Sequence, residues 1–366
     1  MKLIHLASSY KMGLTNQETQ LALAFSKVDD LQYLVVTGEN EQFEGCFETL
    51  CNNNINNKII YGFDEHHEPF RLIKEFNQII TEFNPDIVTV NTNWQLLITG
   101  LARLFSFKKF KIVYTIHGYR HNEKLKSYVA RILIGGLLFL FSDAINAPTK
   151  FIRNKFKLLK YKIFVIPLGE DQIFFENSST HDFSKPLNLV FPGVFRHGKN
   201  QELLIKAFKK FISSTHNCNT VLHLPGEGEL KNQAQDLVRQ LAIDKQVLFP
   251  GHLSRLQMLE VYAKCQIAII PSNVETFGHC IAEPLVMQCI VISANTGLAP
   301  DFIQHGLNGF IFKDENDLVE ILIKIKKMDV EQLQNIALAA KETGGNFKWP
   351  NIALRLFNEV YKPLLQ

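Results

Sequence analysis

Short apolar, β-branched runs alternate with longer amphipathic stretches along the first half of the chain. The runs predicted as strands are KLIHLAS (2–8), YLVVTG (33–38), KIIYG (58–62), DIVTVN (86–91), KIVYTIHG (111–118), DAINAPT (143–149) and KIFVIPLG (162–169). Between two of them, FRLIKEFNQIITEF carries apolar residues at spacings of three and four, which predicts a helix. Near-continuous apolar strands separated by helices are typical of a parallel sheet that is covered on both faces.

The same pattern restarts after a polar stretch, ENSSTHDFSKP, which reads as a linker over residues 176–186. The second set of predicted strands is LNLVFPG (187–193), NTVLHLPG (219–226), QVLFPG (246–251), QIAIIPS (266–272), CIVISAN (289–295) and NGFIFK (308–313). We therefore predict two Rossmann-like α/β domains, at residues 1–175 and 187–346, and a last helix at 349–365. Open parallel sheets bind ligands at the carboxyl ends of their strands, so a cleft between the domains is the expected site of chemistry.

Length and composition agree with this organisation and exclude several classes. The chain has 366 residues, 46% hydrophobic and 20% charged, as expected for a globular protein of two domains. The longest apolar run, ILIGGLLFLF at 132–141, is too short to span a bilayer, and the N-terminus lacks the pattern of a signal peptide. Six scattered cysteines without a CxxC pair favour reduced thiols and a cytoplasmic location.

The glycine pattern argues against a dinucleotide-dependent dehydrogenase. The loop after the first strand, SSYKMGLTNQE, has one glycine, Gly13, where the dinucleotide fingerprint needs three. The chain's GxG, in PGEGEL, follows the second strand of the second domain and lacks the third glycine.

The segment PSNVETFGHCIAE (271–283) carries the most specific chemical signal. Glu275 and Glu283 flank a predicted strand-to-helix turn, and carboxylates accept the paired hydroxyl hydrogen bonds of ribose and sugars. The backbone amides of residues 278–281 would open the helix and face an anion such as a diphosphate. Two carboxylates could instead belong to a glycoside hydrolase, or be a cap and a surface residue, but an adjoining anion-binding helix end favours a nucleotide-sugar site.

Two cations are predicted at the same sheet edge. Arg196 and Lys199 lie in the loop after the first strand of the second domain. Fixed cations that face a diphosphate can stabilise its departure without a metal ion. No DxD follows a strand, so we expect neither a metal site nor a cofactor other than the nucleotide-sugar co-substrate.

With these elements in order along nearly the whole chain, the sequence resembles the retaining glycosyltransferases of family 4, the group 1 glycosyl transferases with the GT-B fold. The resemblance rests on the Gly13 loop, PDIVTVN, YTIHG, FSDAINAPT, VIPLGEDQIF, the Arg196/Lys199 loop, LPGEGEL, VLFPGHLS, ETFGHCIAE and the terminal FKWPNIALRLFNEVY. It implies a parallel α/β protein of two domains whose C-terminal helix returns to the first domain.

The resemblance also implies roles for individual residues. His117 would serve the reaction centre from the first domain, with Arg196, Lys199 and Glu275 as the other catalytic residues. Glu283 would hold the donor ribose, and Gly13 and Arg120 would lie on the acceptor side. The remaining donor-binding residues would be Gly193, Thr276, Phe277, Gly278, His279, Cys280 and Ile281.

Charge is distributed unevenly along the chain. Residues 101–162 hold 14 Lys and Arg against 2 Asp and Glu, a net charge of +12 in a chain whose total is +3. A basic block interleaved with Phe, Leu and Tyr favours an anionic partner over a merely solvated face. We expect this face to bind an anionic membrane surface or a lipid-linked acceptor, which implies a peripheral location on the inner face of the cytoplasmic membrane; no nucleic-acid motif is present.

The sequence therefore predicts a retaining transfer of a sugar from a nucleotide donor, with UDP favoured over GDP-mannose. The expected acceptor is a saccharide or lipid-linked saccharide in bacterial O-antigen, capsule or lipopolysaccharide biosynthesis. Two alternatives stay open at this point: a GT-B-fold nucleotide-sugar epimerase, and a non-catalytic protein that binds saccharides or nucleotides.

Overall fold

The computed structural model describes residues 1–7, 12–38, 45–63, 67–118, 125–177, 180–216 and 219–366, without the side chains of 12–15, 45–47 and 125–131. The chain divides into two compact units. The first comprises Met1–Asp171 and Phe347–Gln366, and the second comprises Gln172–Asn346.

The first unit contains, in its described residues, a seven-stranded parallel sheet. Its strands are β1 (Lys2–Ala7), β2 (Gln32–Thr37), β3 (Asn57–Ile59), β4 (Ile87–Val90), β5 (Lys111–Thr115), β6 (Ala144–Ala147) and β7 (Ile163–Val165). Their order in the sheet is β3-β2-β1-β4-β5-β6-β7. The helices are α1 (Met12–Phe25), α2 (Gly45–Asn52), α3 (Pro69–Phe83), α4 (Asn93–Phe105), α5 (Leu125–Phe141) and α6 (Lys150–Arg153), followed by a 3-10 turn at Lys157–Lys162.

The second unit has a six-stranded parallel sheet in its described residues. Its strands are β8 (Leu189–Val190), β9 (Leu222–His223), β10 (Val247–Leu248), β11 (Ile267–Ile270), β12 (Ile290–Ala294) and β13 (Phe310–Phe312), in the order β10-β9-β8-β11-β12-β13. The helices are α7 (Gln172–Glu176), α8 (Gln201–Thr215), α9 (Lys231–Gln240), α10 (Arg255–Lys264), α11 (His279–Val286), α12 (Ala299–Phe302), α13 (Glu315–Lys327) and α14 (Val330–Gly344).

The first sheet has an apolar core cluster on each face, and β11 of the second sheet is fully buried, as the near-continuous apolar strands predict. Helix α3 shows how a helix is fixed to its sheet: its buried residues recur at three- and four-residue spacing and form one apolar stripe. These residues are Leu72, Ile73, Phe76, Ile79 and Ile80. Helix α4 begins at a capping box in which the Thr92 hydroxyl accepts from the Gln95 amide and the Gln95 side chain accepts from the Thr92 amide.

The strand order creates a topological switch point in each sheet. In the first sheet β1 pairs with β2 on one side and β4 on the other, so the connections that leave β1 and β4 diverge. In the second sheet β8 pairs with β9 and β11 in the same way. Diverging connections leave a crevice at the carboxyl ends of the two strands, where open α/β sheets bind ligands.

The C-terminal helix belongs to the first unit, as predicted. It runs through α15 (Trp349–Arg355), a π-helical turn (Leu356–Tyr361) and α16 (Lys362–Leu365). Trp349, Ile352 and Tyr361 are buried in the same core cluster as Phe25 of α1. The predicted fold class, two parallel α/β sheets with a returning C-terminal helix, is confirmed.

The connection between the units differs in detail from the predicted linker at 176–186. The second unit begins at Gln172, before the predicted end of the first domain at 175. His181 and Phe183 are buried, and the His181 Nε2 atom lies 3.1 Å from the Met287 carbonyl oxygen. The polar composition of this stretch conceals two side chains that pack into the second unit.

No helix in the described part of the chain has both the length and the apolarity that a bilayer crossing requires.

The packing of Trp349, at the start of the C-terminal helix, against Gly169 gives a test of the fold. A Cβ atom on Gly169 would lie 2.2 Å from Trp349 Cδ2, so Gly169→Ala should displace the buried indole and destabilise the first unit by about 1–3 kcal/mol. Unfolding in urea followed by tryptophan fluorescence measures this unit selectively, because both tryptophans, Trp94 and Trp349, belong to it.

The matched control is Gly136→Ala, at an exposed glycine of α5 in the same unit with no heavy atom within 4 Å of an added Cβ. It should leave the unfolding free energy within about 1 kcal/mol of the wild type. Equal destabilisation by both substitutions would contradict the packing of the C-terminal helix against Gly169.

Candidate functional site

Two loops meet at the switch point of the second sheet, one after β8 and one after β11. The Asn273 amide donates to the Gly198 carbonyl oxygen at 2.8 Å. The Asn200 side-chain amide donates to the Pro271 carbonyl oxygen at 2.9 Å and to Asn273 Oδ1 at 2.6 Å. The loop that carries Arg196 and Lys199 is therefore bonded directly to the loop that carries Glu275.

An ion pair joins these loops at their centre. Lys199 Nζ lies 2.5 Å from Glu275 Oε1, and each side chain is only 12% exposed. Burial alone would lower the pKa of the Lys199 ammonium, but its surroundings, with the ion pair to Glu275 among them, outweigh burial and hold that pKa above its ordinary value. Lys199 is thus a fixed cation that stays protonated at neutral pH.

Helix α11 begins beside this pair. Its N-cap, Gly278, has a φ of 98°, a conformation that suits glycine, and an added Cβ would lie 2.9 Å from Ile281 Cδ1. Cys280 lies in the first turn, with Sγ 3.6 Å from Glu275 Oε1, and burial raises the pKa of its thiol well above the ordinary value. The Lys199–Glu275 pair therefore lies close to the positive end of the α11 dipole.

One of the four amides predicted to face an anion is used within the turn itself. The Ile281 amide donates to the Gly278 carbonyl oxygen at 2.8 Å. The Ile281 side chain is fully buried. The donor-binding role of Ile281 stays a prediction.

Glu283 lies on α11 beyond its first turn. The buried Tyr262 hydroxyl of α10 donates to Glu283 Oε2 at 2.7 Å and so orients the carboxylate. Burial, and next the negative charge of Glu283, raise the pKa of Tyr262 well above its ordinary value, which keeps the phenol protonated as a donor.

The other predicted residues of this unit have different surroundings. The Arg196 side chain is exposed and, within the described part of the chain, makes no hydrogen bond or ion pair. The Gly193 amide donates to the Pro225 carbonyl oxygen at 3.0 Å. Phe277 is buried and packs edge-to-face on His279 at 5.0 Å, and Thr276 is half-buried. Phe277 supports the turn from the core side.

His117 of the first unit follows β5 at the switch point of the first sheet. Its Nε2 atom lies 3.2 Å from Glu18 Oε1 and 3.1 Å from Asn91 Oδ1. Glu18 is 1% exposed and its Oε2 atom lies 2.5 Å from Nε2 of the equally buried His5. Burial tends to raise the pKa of Glu18, but His5 and His117 outweigh it and lower that pKa to about 2. Glu18 is therefore an ionised carboxylate inside the unit.

The two predicted acceptor-side residues are described only in part. Gly13 lies in the first turn of α1, whose backbone alone is described there. Arg120 lies outside the described residues.

Sequence reasoning missed Glu18, His5, Asn91 and Tyr262. One signal could have found Glu18: at helical spacing it shares a face with Ala22 and Phe25, both buried, so the stripe places a carboxylate in the core. His5 likewise lies within an apolar strand. Glu18, His5 and Tyr262 belong to no motif quoted above, and only the fold shows which side chains they meet.

The described residues hold no group of three or more His, Cys, Asp or Glu side chains placed to bind a metal ion. Metal-independent catalysis stays a prediction.

Two family models together match residues 30–343. The model of glycosyl transferases group 1 matches residues 173–343, and that of glycosyltransferase family 4 matches residues 30–172. The chain belongs to the group 1 glycosyl transferases. Membership of this family favours sugar transfer over the epimerase and the non-catalytic binding protein.

Known proteins resemble the glycosyltransferase at low identity. An uncharacterized glycosyltransferase of Methanocaldococcus jannaschii is 27% identical over 176 residues, which are 48% of this chain and 44% of that protein. The chain spans about half the length of the first curated relatives that it matches.

Solved structures share the fold over nearly the full length. Anabaena HepE, solved in complex with UDP, has a TM-score of 0.77 at 19% identity and covers 99% of this chain and 100% of its own. HepE has also been solved with UDP-glucose. The lipopolysaccharide outer core galactosyltransferase WaaB, in its apo form, has a TM-score of 0.75 at 16% identity, with the same coverage. The predicted GT-B fold is confirmed.

Proposed function

We propose that this glycosyltransferase moves a sugar, with retention at the anomeric carbon and without a metal ion, from a UDP-sugar to a saccharide or lipid-linked saccharide. The observation that carries the proposal is the buried Lys199–Glu275 pair beside the N-terminus of α11 at a topological switch point. These groups match the parts of a nucleotide-sugar. The cation and the helix N-terminus suit the diphosphate, and the two carboxylates, Glu283 and Glu275, suit the ribose and the hexose.

Lys199 acts on the leaving group. Transfer breaks the bond between the anomeric carbon and the diphosphate, and negative charge grows on the departing phosphate oxygen. A buried ammonium that is already held in place stabilises that charge without reorganisation. Arg196, exposed and not bound to other described side chains, is the second cation available to the diphosphate.

The two glutamates bind opposite ends of the donor. Glu283, oriented by Tyr262, accepts hydrogen bonds from the ribose hydroxyls. Glu275 precedes the helix N-terminus and binds the transferred sugar, while the first amides of α11 face the diphosphate.

UDP is favoured as the nucleotide because HepE, which has the same fold, was solved with UDP and with UDP-glucose. A role in envelope polysaccharide or lipopolysaccharide assembly is supported by the likeness to WaaB. GDP-mannose is the alternative donor.

An exposed apolar patch on the first unit favours binding to a membrane surface. Residues Ile132, Leu133, Phe139 and Leu140 form one stripe along α5, and all are more than half exposed. Lys162 Nζ lies 5.3 Å from the Phe139 ring centroid and 5.9 Å from that of Tyr161, so the 3-10 turn adjoins the stripe. We call these six residues the α5 patch.

Three more lysines, Lys155, Lys157 and Lys160, are exposed and precede Tyr161 and Lys162 of the α5 patch in the sequence. Apolar side chains together with lysines fit the anionic surface of a bilayer, where each lysine near the surface contributes about 1 kcal/mol. The occupant that we propose is therefore the anionic inner face of the cytoplasmic membrane.

Substitution of Lys199 tests the proposed chemistry. Lys199→Ala should lower the rate of UDP release from UDP-sugars in the presence of saccharide acceptors roughly 10²–10³-fold, because it removes a preorganised charge from the leaving group. EDTA should not change the wild-type rate. The matched control is Lys210→Ala, which breaks a Lys–Glu pair of 2.7 Å between α8 and Glu315, outside the switch-point loops.

Lys210→Ala should retain activity within a few-fold of the wild type. Near-normal activity of Lys199→Ala would remove Lys199 from the mechanism, and loss of activity in EDTA that Mn²⁺ restores would contradict metal-independent transfer.

Flotation with vesicles tests the membrane surface. The wild type should float with vesicles that contain anionic lipid at low salt, and the double variant Leu133→Asp/Leu140→Asp should not, because charge on the stripe opposes insertion and repels anionic lipid. Phe70→Ser, at an exposed phenylalanine of α3, is the control for loss of an apolar surface residue elsewhere and should float like the wild type. A wild type that stays wholly unbound at low salt would contradict the proposal.

A further inference from the structure

Five polar side chains are gathered at the switch point of the first sheet. They are Glu18 of α1, His5 of β1, Thr89 of β4, Asn91 after β4 and His117 after β5. All but His117, which is 15% exposed, are almost fully buried. A buried charge is costly unless its hydrogen bonds are made, so this cluster constrains the protonation of each member.

The orientation of Asn91 follows from its partners. Its Nδ2 atom donates to the Leu6 carbonyl oxygen at 2.9 Å and to Glu18 Oε2 at 2.8 Å. Both partners accept only, so the amide nitrogen must be at that end. Asn91 Oδ1 is therefore the atom that faces His117.

The protonation of the His117 ring follows in turn. Its Nε2 atom faces two oxygens, Asn91 Oδ1 at 3.1 Å and Glu18 Oε1 at 3.2 Å. Neither oxygen can donate, because Glu18 is ionised and Asn91 Oδ1 is a carbonyl oxygen. Nε2 must carry a hydrogen, which leaves Nδ1 of the neutral ring as an acceptor. Nδ1 is itself buried and has no hydrogen-bond partner among the described residues, so it is an acceptor whose hydrogen bond is still to be made.

We propose that Glu18 is a positioning residue: with Asn91 it fixes the hydrogen of His117 on Nε2 and so presents Nδ1 to accept a hydrogen bond from a hydroxyl of the sugar substrate. That the hydroxyl group belongs to a sugar rests on the proposed function, whereas the His117 tautomer rests on the cluster alone. His5 completes the arrangement. Its Nε2 atom faces Glu18 Oε2, and its Nδ1 atom lies 2.7 Å from Thr89 Oγ1.

Nitrogen NMR of the full chain labelled with ¹⁵N-histidine reads the tautomer directly. The ring signals of His117 are assigned by their absence from His117→Gln. In the wild type we expect a protonated Nε2 and an unprotonated Nδ1. A hydrogen on Nδ1 of neutral His117 would overturn the proposal, and this measurement needs no variant of the cluster other than the assignment one.

Glu18→Gln then tests whether the tautomer affects transfer. Asn91 Nδ2 and His5 face the same end of this side chain and need an acceptor there, so the glutamine carbonyl oxygen must take that end. Its amide NH₂ group must then face His117 Nε2. This arrangement should move the His117 hydrogen to Nδ1. We expect kcat to fall roughly 10²–10³-fold, as for loss of one preorganised hydrogen-bonding partner, with UDP affinity unchanged.

Tyr114→Phe is the matched control because it removes a hydrogen bond of the same unit, from the Tyr114 hydroxyl to Asn93 Oδ1, outside the five-residue cluster. It should lower stability but keep the wild-type His117 tautomer and transfer within a few-fold. If both variants lowered kcat alike with the tautomer unchanged, the cluster would be structural and the proposal wrong. A third outcome separates the two claims: no nucleotide-sugar supports transfer, but His117 keeps its hydrogen on Nε2. The proposed function, and with it the contact to a sugar hydroxyl, would then be wrong, and the assignment of the His117 tautomer would still be correct.

Discussion

The rest of the structure depends on one constraint, the reversal of strand order between β1 and β4 and between β8 and β11. At each pair, the chain segments that follow the two strands run to opposite sides of the sheet. Parallel strands place all their carboxyl ends on one edge, and a reversal of strand order leaves a crevice there. Loops that line such a crevice can carry polar groups without covering an apolar core. In both units the buried charges that matter, Glu18 in the first and Lys199 with Glu275 in the second, lie at this position.

Both sites consist of buried charges that are compensated before any substrate arrives. Lys199 and Glu275 neutralise each other, and Glu18 is held by two histidines and an asparagine. Buried pairs contribute little net stability, but they hold their members in fixed geometry. For a glycosyltransferase this geometry is the useful property, because preorganised charge stabilises a leaving diphosphate more effectively than mobile charge does.

The sequence predicts the fold and part of the site for physical reasons. Alternating apolar runs and amphipathic stretches determine a parallel α/β architecture, and the loop after β11 brings Glu275, Gly278 and Glu283 close together through local geometry alone. The partners of Tyr262 and Glu18 could not be predicted in this way, because those partners come from other elements of the fold. The start of α11 was predictable, because Gly278, with its positive φ, is the N-cap of the helix.

The central claim is that the nucleoside diphosphate binds at the β8/β11 switch point, with its ribose on Glu283 and its sugar end towards Glu275. Calorimetric titration of UDP into the full chain tests it most directly. Glu283→Ala should weaken UDP binding by about one to two decades, since a charged partner of two hydroxyls contributes roughly 1.5–3 kcal/mol. Glu275→Ala should leave the affinity for UDP within a few-fold of the wild type. Equal weakening by both substitutions, or by neither, would contradict this placement of the donor.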